Sequence, residues 1–359
     1  MIEFTKYPNA EVWTSYMPEI TAKTDYDGKV EFSVYHGTYP DGTLVFKNTL
    51  WTAAGTVAIA DIGEILATYM RSQSLKIATF TLKASEATET GETALASFTA
   101  CYCTQMMKMT VREWAQSMFL TTAQTLMLTE RETLRLSALC HKGETELTVT
   151  AVGVTDKGTT AQCTFTGSLA LQDTDGLQLV SLPGISPSLV LHQVSTLARI
   201  VKLQSFVVNY GDRSLQVFVA DKPADSVTFR FLNMFGVEET LTLRGVVKKT
   251  LELTRGETIV NQTTLTYDVA SQRTYELTTE PMPEDEAVRV EQLASSWKVA
   301  DADGRAIDVT NTDFSYDTDN STLKTLTLTW RYAYRRAVDE TERPASAGIF
   351  SDPFTYQFS

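Results

Sequence analysis

Short runs in which apolar and polar residues alternate recur along this chain, and they constrain its fold more than any other feature. The runs are rich in threonine, valine, tyrosine and phenylalanine, and turn-forming residues separate them. Period-two alternation is typical of half-buried antiparallel strands, whose successive side chains point to opposite faces of a sheet. Examples are KVEFSVYHG (29–37), TELTVTAVGV (145–154), RSLQVFVAD (213–221) and TLKTLTLTWRYAY (322–334). The sequence therefore predicts a mainly β protein.

Three segments carry helical periodicity instead. Residues 61–72, 110–119 and 283–297 each place apolar side chains at the three- and four-residue spacing of one buried helix face. Thr110 and Glu113 have the spacing of a capping box, and Pro283 with the acidic residues after it suits a first helical turn. We predict one short helix in each segment.

The length of the chain predicts more than one domain. At 359 residues it exceeds the size at which a single hydrophobic core usually stops growing. The strand pattern breaks near residue 108, before the second predicted helix, and again around Pro223. We therefore predict three antiparallel β-sandwich or β-barrel-like units with a few short helices. Residues 1–108 form an N-terminal β-sandwich with one helix, 109–220 a middle β domain, and 221–359 a C-terminal β domain with one helix.

Charge and hydropathy limit the classes of partner. The chain has 44 acidic and 31 basic side chains, a formal charge of −13, which repels both a phosphate backbone and an anionic membrane surface. We expect no sequence-specific nucleic-acid binding and no membrane binding. No run of 18 apolar residues occurs, and MIEFTKYPNA at the start lacks the basic and apolar regions of a secretion signal. The expectation is a protein made and kept soluble.

A repeated acidic tetrapeptide raises the question of calcium. D-x-D-G occurs at residues 25–28, 173–176 and 301–304. An EF-hand loop needs further oxygen ligands and a glutamate at its twelfth position, and none of the three has them. Each lies between or beside strand-like runs, and Asp-Gly supplies the positive φ of a type I′ hairpin turn. We predict turns between strands and no metal site.

A search for reactive groups finds no catalytic motif. The histidines His36, His141 and His192 are far apart, and Cys101 and Cys103 would share one face of a strand as small buried residues. Phosphate-binding loops, dinucleotide fingerprints, nucleophile elbows and zinc-protease motifs do not occur. We predict no catalytic, cofactor-binding or metal-binding residues, and no cofactor.

Four tryptophans lie on apolar faces of predicted elements. Trp51, Trp114, Trp297 and Trp330 are therefore predicted to pack in the core rather than to form a platform for sugars.

Residues 227–245, VTFRFLNMFGVEETLTLRG, contain an F-x-N-x-F-G-x-x-E-T core. This core consists of Phe231, Asn233, Phe235, Gly236, Glu239 and Thr240. It resembles a segment of tail or baseplate-type structural proteins of Bacteroidetes phages and prophages. The helix, hairpin and strand pattern at 288–316 and the long strand pattern at 322–336 are similar to the segments that follow in that family. The likeness covers most of about the last 160 residues.

The resemblance implies a structural role in a virion and no catalytic residues. Several β units also expose many strand edges, which neighbouring subunits of a closed ring can cover. We expect a non-enzymatic component of a phage or phage-derived tail, baseplate or neck assembly, located in the virion after assembly in the host bacterial cytoplasm. Its expected partners are copies of itself in a ring and other virion structural proteins. Two alternatives stay open: a carbohydrate-binding or adhesin-like β-sandwich protein, and a β-sandwich hydrolase with a carboxylate pair.

Overall fold

A computed structural model of the chain describes residues 1–88, 91–130, 132–141, 146–169, 176–220, 226–260, 263–311 and 323–333. These residues form twenty-one strands and four α-helices, which confirms the predicted mainly β class with a few short helices. The strands assemble into three groups that follow each other along the chain. None of the helices within the described ranges is long and apolar enough to cross a membrane.

The first group consists of two sheets and one helix. Its strands are β1 Ile2–Lys6, β2 Glu11–Trp13, β3 Ile20–Thr24, β4 Lys29–His36, β5 Thr43–Trp51, β6 Thr56–Ile59, β7 Ile77–Glu86 and β8 Thr93–Cys101. A five-stranded sheet in the order β2-β8-β7-β4-β5 and a three-stranded sheet β1-β3-β6 enclose one core. Helix α1 (Ile62–Ser72) buries Leu66 and Met70 in that core, as its periodicity predicts.

The second group has five strands in one sheet and two in another. Its strands are β9 Thr125–Thr129, β10 Ser137–Cys140, β11 Glu146–Thr155, β12 Thr160–Ser168, β13 Gln178–Ser181, β14 Ile200–Tyr210 and β15 Arg213–Ala220. The sheet orders are β12-β11-β14-β15-β9 and β10-β13. Helix α2 (Val111–Ser117) precedes β9. Here β15 and β9 run parallel, as β2 and β8 do in the first group, whereas the sequence predicted only antiparallel pairs.

The third group is a closed barrel. Its strands are β16 Ser226–Leu232, β17 Glu238–Val260, β18 Thr263–Thr279, β19 Val299–Asp301, β20 Ala306–Val309 and β21 Thr327–Tyr332. They close in the order β16-β17-β18-β21-β20-β19. Helix α4 (Glu284–Ser295) buries Ala287, Val290 and Leu293 in the barrel core, and Pro283 is its N-cap. The domain ranges 1–108, 109–220 and 221–359 stay predictions of where independent units begin and end.

One helix was not predicted. Helix α3 (Pro187–Ala198) begins at Ser186, whose side chain accepts a hydrogen bond from the Leu189 amide at 3.2 Å. Its buried residues include Val190 and Val194, but Leu189 and Leu197 are exposed. Apolar residues on the solvent side blur the periodicity from which an amphipathic helix is recognised. The Ser-Pro start was the available signal.

The tryptophan predictions are half correct. Trp114 and Trp330 are buried, whereas Trp51 is 69% exposed and Trp297 is 54% exposed. Trp51 ends β5, an edge strand of its sheet, and Trp297 follows the end of helix α4, so no neighbouring element covers either ring completely. An apolar face in sequence does not show where the covering element stops.

The predictions for the three acidic tetrapeptides have different outcomes. Residues 301–304 join β19 to β20 as a turn, with Gly304 at φ +83° and the Asp301 carboxylate accepting from the Arg305 amide at 2.8 Å. The hairpin prediction is wrong for residues 25–28, because β3 and β4 belong to different sheets. Residues 173–175 lie outside the described residues. Among the described ranges, no group of three or more acidic, histidine or cysteine side chains could hold a metal ion.

The capping box at helix α2 gives a stability prediction. The Thr110 side chain accepts a hydrogen bond from the Glu113 amide at 3.2 Å, and the Glu113 carboxylate accepts one from the Thr110 amide at 2.8 Å. Thr110→Ala is expected to lower the free energy of unfolding by about 1 kcal/mol, measured by urea denaturation at neutral pH. Ser117→Ala, at the other end of the helix, is the control and should leave stability nearly unchanged. Equal losses would contradict a specific role for the cap.

The same box makes the loss dependent on pH. The backbone hydrogen bond from Thr110, and then its side chain, hold the pKa of Glu113 below its usual value. A depressed carboxyl pKa stabilises the folded state above the unfolded pKa, and this contribution disappears as the pH falls through the folded pKa. Thr110→Ala keeps the backbone hydrogen bond to this carboxylate and loses only the one from the side chain, so the difference between wild type and Thr110→Ala should shrink in part in acid.

Candidate functional site: the junction of the three strand groups

The six residues of the F-x-N-x-F-G-x-x-E-T core surround a tight connection in the barrel. Phe231 lies in β16, Asn233 to Gly236 form the connection, and Glu239 and Thr240 begin β17. The connection is short because Leu232 already pairs with Glu238 across the two antiparallel strands. Gly236 has φ +68°, a left-handed conformation that favours glycine. The motif is therefore a hairpin end whose shape depends on its sequence.

Asn233 holds this hairpin end together and connects it to the second group. Its side-chain oxygen accepts hydrogen bonds from the Phe235 amide at 3.0 Å and the Val237 amide at 3.2 Å. Its amide nitrogen donates to the Leu120 carbonyl and to Glu239 Oε1, both at 2.7 Å. All polar atoms of this buried side chain are thereby used, as burial of an amide requires.

Glu239 forms a buried ion pair with helix α4. Its Oε2 atom lies 3.3 Å from Arg289 Nε, and both side chains are only 7% exposed. Arg289 also donates to the Thr240 carbonyl at 3.0 Å, so Thr240 contributes its backbone. The remaining Glu239 oxygen is the one that receives the Asn233 amide. A buried ion pair is tolerated where hydrogen bonds satisfy both partners, and here they do.

Phe235 lies in a fourth hydrophobic cluster that joins all three strand groups. Its ring centroid is 5.5 Å from that of Trp13 and 5.1 Å from that of Trp114. Trp13 belongs to β2 of the first group and Trp114 to helix α2. We call this cluster the junction core; its buried residues are Trp13, Cys101, Cys103, Val111, Trp114, Ala115, Leu120, Leu139, Met234, Phe235 and Val237. Phe231 instead points into the barrel core.

Polar contacts reinforce the junction. Glu238, the neighbour of Glu239, accepts hydrogen bonds from Arg135 of the second group and from Arg230 of β16, each at 2.9 Å. The Thr104 amide donates to the Met234 carbonyl at 3.0 Å and so connects the first group to the barrel. The strand groups are therefore fixed to each other by hydrogen bonds as well as by packing.

Sequence reasoning missed Arg213, the largest fully buried side chain among the described residues. Its guanidinium donates to the carbonyls of Tyr210, Ala115 and Leu139, and thus ties β14 to helix α2 and β10. A single arginine within GDRSL is indistinguishable from a surface residue in sequence. Its position opposite Tyr210 at a hairpin end was the only available signal.

The cysteines near the junction are structural. Cys101 and Cys103 are buried, as predicted, and burial is the main cause that raises the pKa of both thiols. A raised pKa keeps a thiol protonated and unreactive. Cys140 is buried at the end of β10, whereas His141, the residue after the strand, is exposed.

A cleft of about 170 Å³ lies between the second group and the barrel, where β9 faces the start of helix α4. Three acidic side chains line it: Glu132, Glu280 and Glu286. Glu132 accepts hydrogen bonds from the Thr129 amide and the Thr242 hydroxyl, so its carboxylate is held within the fold. Burial raises the pKa of Glu286. The cleft is the place at which the hydrolase alternative can be tested.

Gly236 allows a test of the hairpin end. A Cβ atom at this position would lie 2.8 Å from Lys76 Nζ and 3.1 Å from the buried Tyr102 ring. Gly158 has a similar φ, +76°, but no atom within 4 Å of its Cβ position. Gly158→Ala is expected to lower the free energy of unfolding by about 1–2 kcal/mol, because alanine is strained in a left-handed backbone conformation. Gly236→Ala should cost about 1 kcal/mol more, because the ring must move. Chemical denaturation measures the stability of both variants. Equal losses would mean that the contact with Tyr102 does not affect stability.

Comparisons with known proteins leave the family open. A scan of the sequence against models of protein families finds no match, and a search of curated proteins finds none either. Among solved structures, one match is the crystal structure of the calcium binding domain CBD12 of CALX1.1. It is 11% identical, with a TM-score of 0.21, over 61% of this chain and 100% of that chain. A TM-score this low carries no argument about fold, calcium or function.

Proposed function

We propose that this chain is a non-enzymatic structural component of a phage or phage-derived tail, baseplate or neck assembly. The observation that carries the proposal is the role of the motif in this fold. Two of its residues, Asn233 and Phe235, connect the barrel to the other strand groups, and the Glu239–Arg289 pair fixes the same hairpin end to helix α4 within the barrel. A component that acts by docking needs this rigidity, because its binding surfaces must keep fixed positions relative to each other.

The proposed partners follow from the same role. The chain forms a homo-oligomeric ring and contacts other virion structural proteins, and it is located in the virion after assembly in the bacterial cytoplasm. A closed ring presents the same two complementary surfaces on every copy. The negative charge of the chain keeps nucleic acid from adhering to such a ring.

The test is direct detection in particles. Particles are induced from the phage or prophage that encodes the chain, purified on a gradient and analysed by quantitative mass spectrometry and by electron microscopy with an epitope-tagged chain. We expect a fixed number of copies per particle and label at the tail, baseplate or neck. Particles that are complete and infective without this chain would overturn the proposal.

One observation favours the second candidate, a carbohydrate-binding protein. The Trp51 ring is exposed on the edge strand β5, with Lys29 Nζ 5.2 Å from the ring centroid. Exposed indole rings stack on the apolar faces of sugars. A glycan array with wild type and Trp51→Ala decides this: binding that the substitution abolishes favours the second candidate, and an empty array removes it.

A further inference from the structure

Strands β17 and β18 continue far beyond the barrel as a two-stranded ribbon. In the barrel, β17 pairs with β16 over Glu238–Arg244, and β18 pairs with β21 over Tyr275–Thr278. Among the described strands, β17 pairs only with β18 from Val246 to Val260, and β18 pairs only with β17 from Thr263 to Thr274. We call this ribbon, residues 246–260 and 263–274, the arm. At about 3.3 Å per residue its fifteen β17 residues span about 50 Å.

The arm has one apolar face, and that face is exposed. Alternate residues of β17 and their cross-strand partners place five aliphatic side chains on the same side. They are 40–75% exposed: Val247, Leu251, Leu253, Ile259 and Val269. Along β17 the opposite side carries Val246 at the base of the ribbon and then Lys248, Thr250, Glu252 and Thr254, with an ion pair between Lys248 and Glu276 at 4.0 Å. Such alternation is typical of a sheet with one buried face. An isolated two-stranded ribbon is only marginally stable in water, so we expect a surface that covers it.

Charge identifies that surface. The apolar face also carries Lys249, Arg255 and Arg273, against the single acid Glu257. Two arms packed face to face would bring these basic groups together. The arm strands and their base, residues 246–278, are neutral in total, so the whole formal charge of −13 belongs to the rest of the chain. A face that is apolar and basic is therefore complementary to the acidic body of another copy.

Area supports repeated contacts between copies. A ribbon about 50 Å long and about 10 Å wide covers about 500 Å² on each partner, or about 1,000 Å² in total. This is the lower limit for a specific interface. In a closed ring each copy makes the contact twice, once with its own arm and once with the arm of its neighbour.

We infer that the arm binds a second copy of this chain, its apolar, basic face lying on the acidic body of the neighbour. This inference rests on the proposed function and adds the surface through which the copies assemble.

The test compares two double substitutions on opposite faces of the same strand segment. Leu251→Glu with Leu253→Glu places two charges on the apolar face, and Thr250→Glu with Thr254→Glu places two on the other face. All four side chains are exposed, so neither variant removes a buried contact within one copy. Sedimentation equilibrium and mass photometry of the full chain measure the dissociation constant at low and at raised salt.

We expect the wild type to form oligomers that salt weakens. The apolar-face variant should raise the dissociation constant at least tenfold, and the control variant should stay within about twofold of wild type. A wild type that is monomeric at every concentration overturns the inference; this is the result expected if a different protein, or residues 334–359 of the same copy, cover the face. Equal loss in both variants, or assembly of the apolar-face variant as in wild type, overturns it too.

The particle experiment separates this inference from the proposed function. A chain that is present in particles but monomeric in solution contradicts the arm inference and leaves the proposed role as a virion component in place. A chain that assembles through the arm but is absent from particles contradicts the proposed function alone.

Discussion

Replacement of Glu239 by leucine is expected to lower the free energy of unfolding by about 3–5 kcal/mol. The substitution leaves the Arg289 guanidinium, 7% exposed, without its carboxylate, and it takes one acceptor from the Asn233 amide. An uncompensated buried charge costs more than the pair itself contributes, because the charge can regain neither water nor a partner. Guanidinium denaturation followed by tryptophan fluorescence measures the loss.

The adjacent residue supplies the control. Glu238 also forms ion pairs, with Arg135 and Arg230, but its side chain is 34% exposed, so Glu238→Leu should cost no more than about 1 kcal/mol. Glu239→Leu combined with Arg289→Leu should be more stable than Glu239→Leu alone, since it removes the unpaired charge. Similar losses for the two glutamates, or a double variant no better than the single one, would show that burial of this pair does not govern its energetics.

Much of the fold was predictable because the alternating pattern of a strand is recognisable within a short stretch of sequence. The alternation in residues 29–37 and 145–154 corresponds to β4 and β11, and the capping box of helix α2 was visible as Thr110 and Glu113. Strand order was not predictable. Nothing in the local pattern shows that β9 pairs with β15, about 90 residues later and in parallel. Such pairing depends on contacts between distant segments, which one sequence does not display.

Only part of the junction could be predicted from the sequence. The motif Phe231 to Thr240 was recognised, but its use as a joint between strand groups depends on Trp13 and Trp114, which lie far from it along the chain. The apolar face of the arm was hidden for another reason. Alternation predicts a covered face, and it looks the same whether the cover comes from the same chain or from another one. Only the exposure of Leu251 and Leu253 shows the difference.

Replacement of Phe235 by alanine is expected to cost about 3–5 kcal/mol and to separate the unfolding of the strand groups. The ring is 1% exposed and lies between Trp13 and Trp114, so its loss leaves a cavity at the place where the groups meet. Each group keeps its own core, because those clusters do not include Phe235. Differential scanning calorimetry should therefore change from one transition to at least two, and hydrogen exchange should become faster around Cys101 and Leu120 than in the barrel.

Phe218→Ala is the matched control for this experiment. Phe218 lies in β15 and is 48% exposed, so its removal should change stability by no more than about 0.5 kcal/mol and leave one transition. If Phe235→Ala also unfolds in one transition, with a calorimetric enthalpy equal to the van't Hoff enthalpy, the groups are coupled by more than the junction core. The polar contacts from Asn233 to Leu120 and from Arg135 to Glu238 would then hold the second group and the barrel together, and their removal from the Phe235→Ala variant should produce the separation.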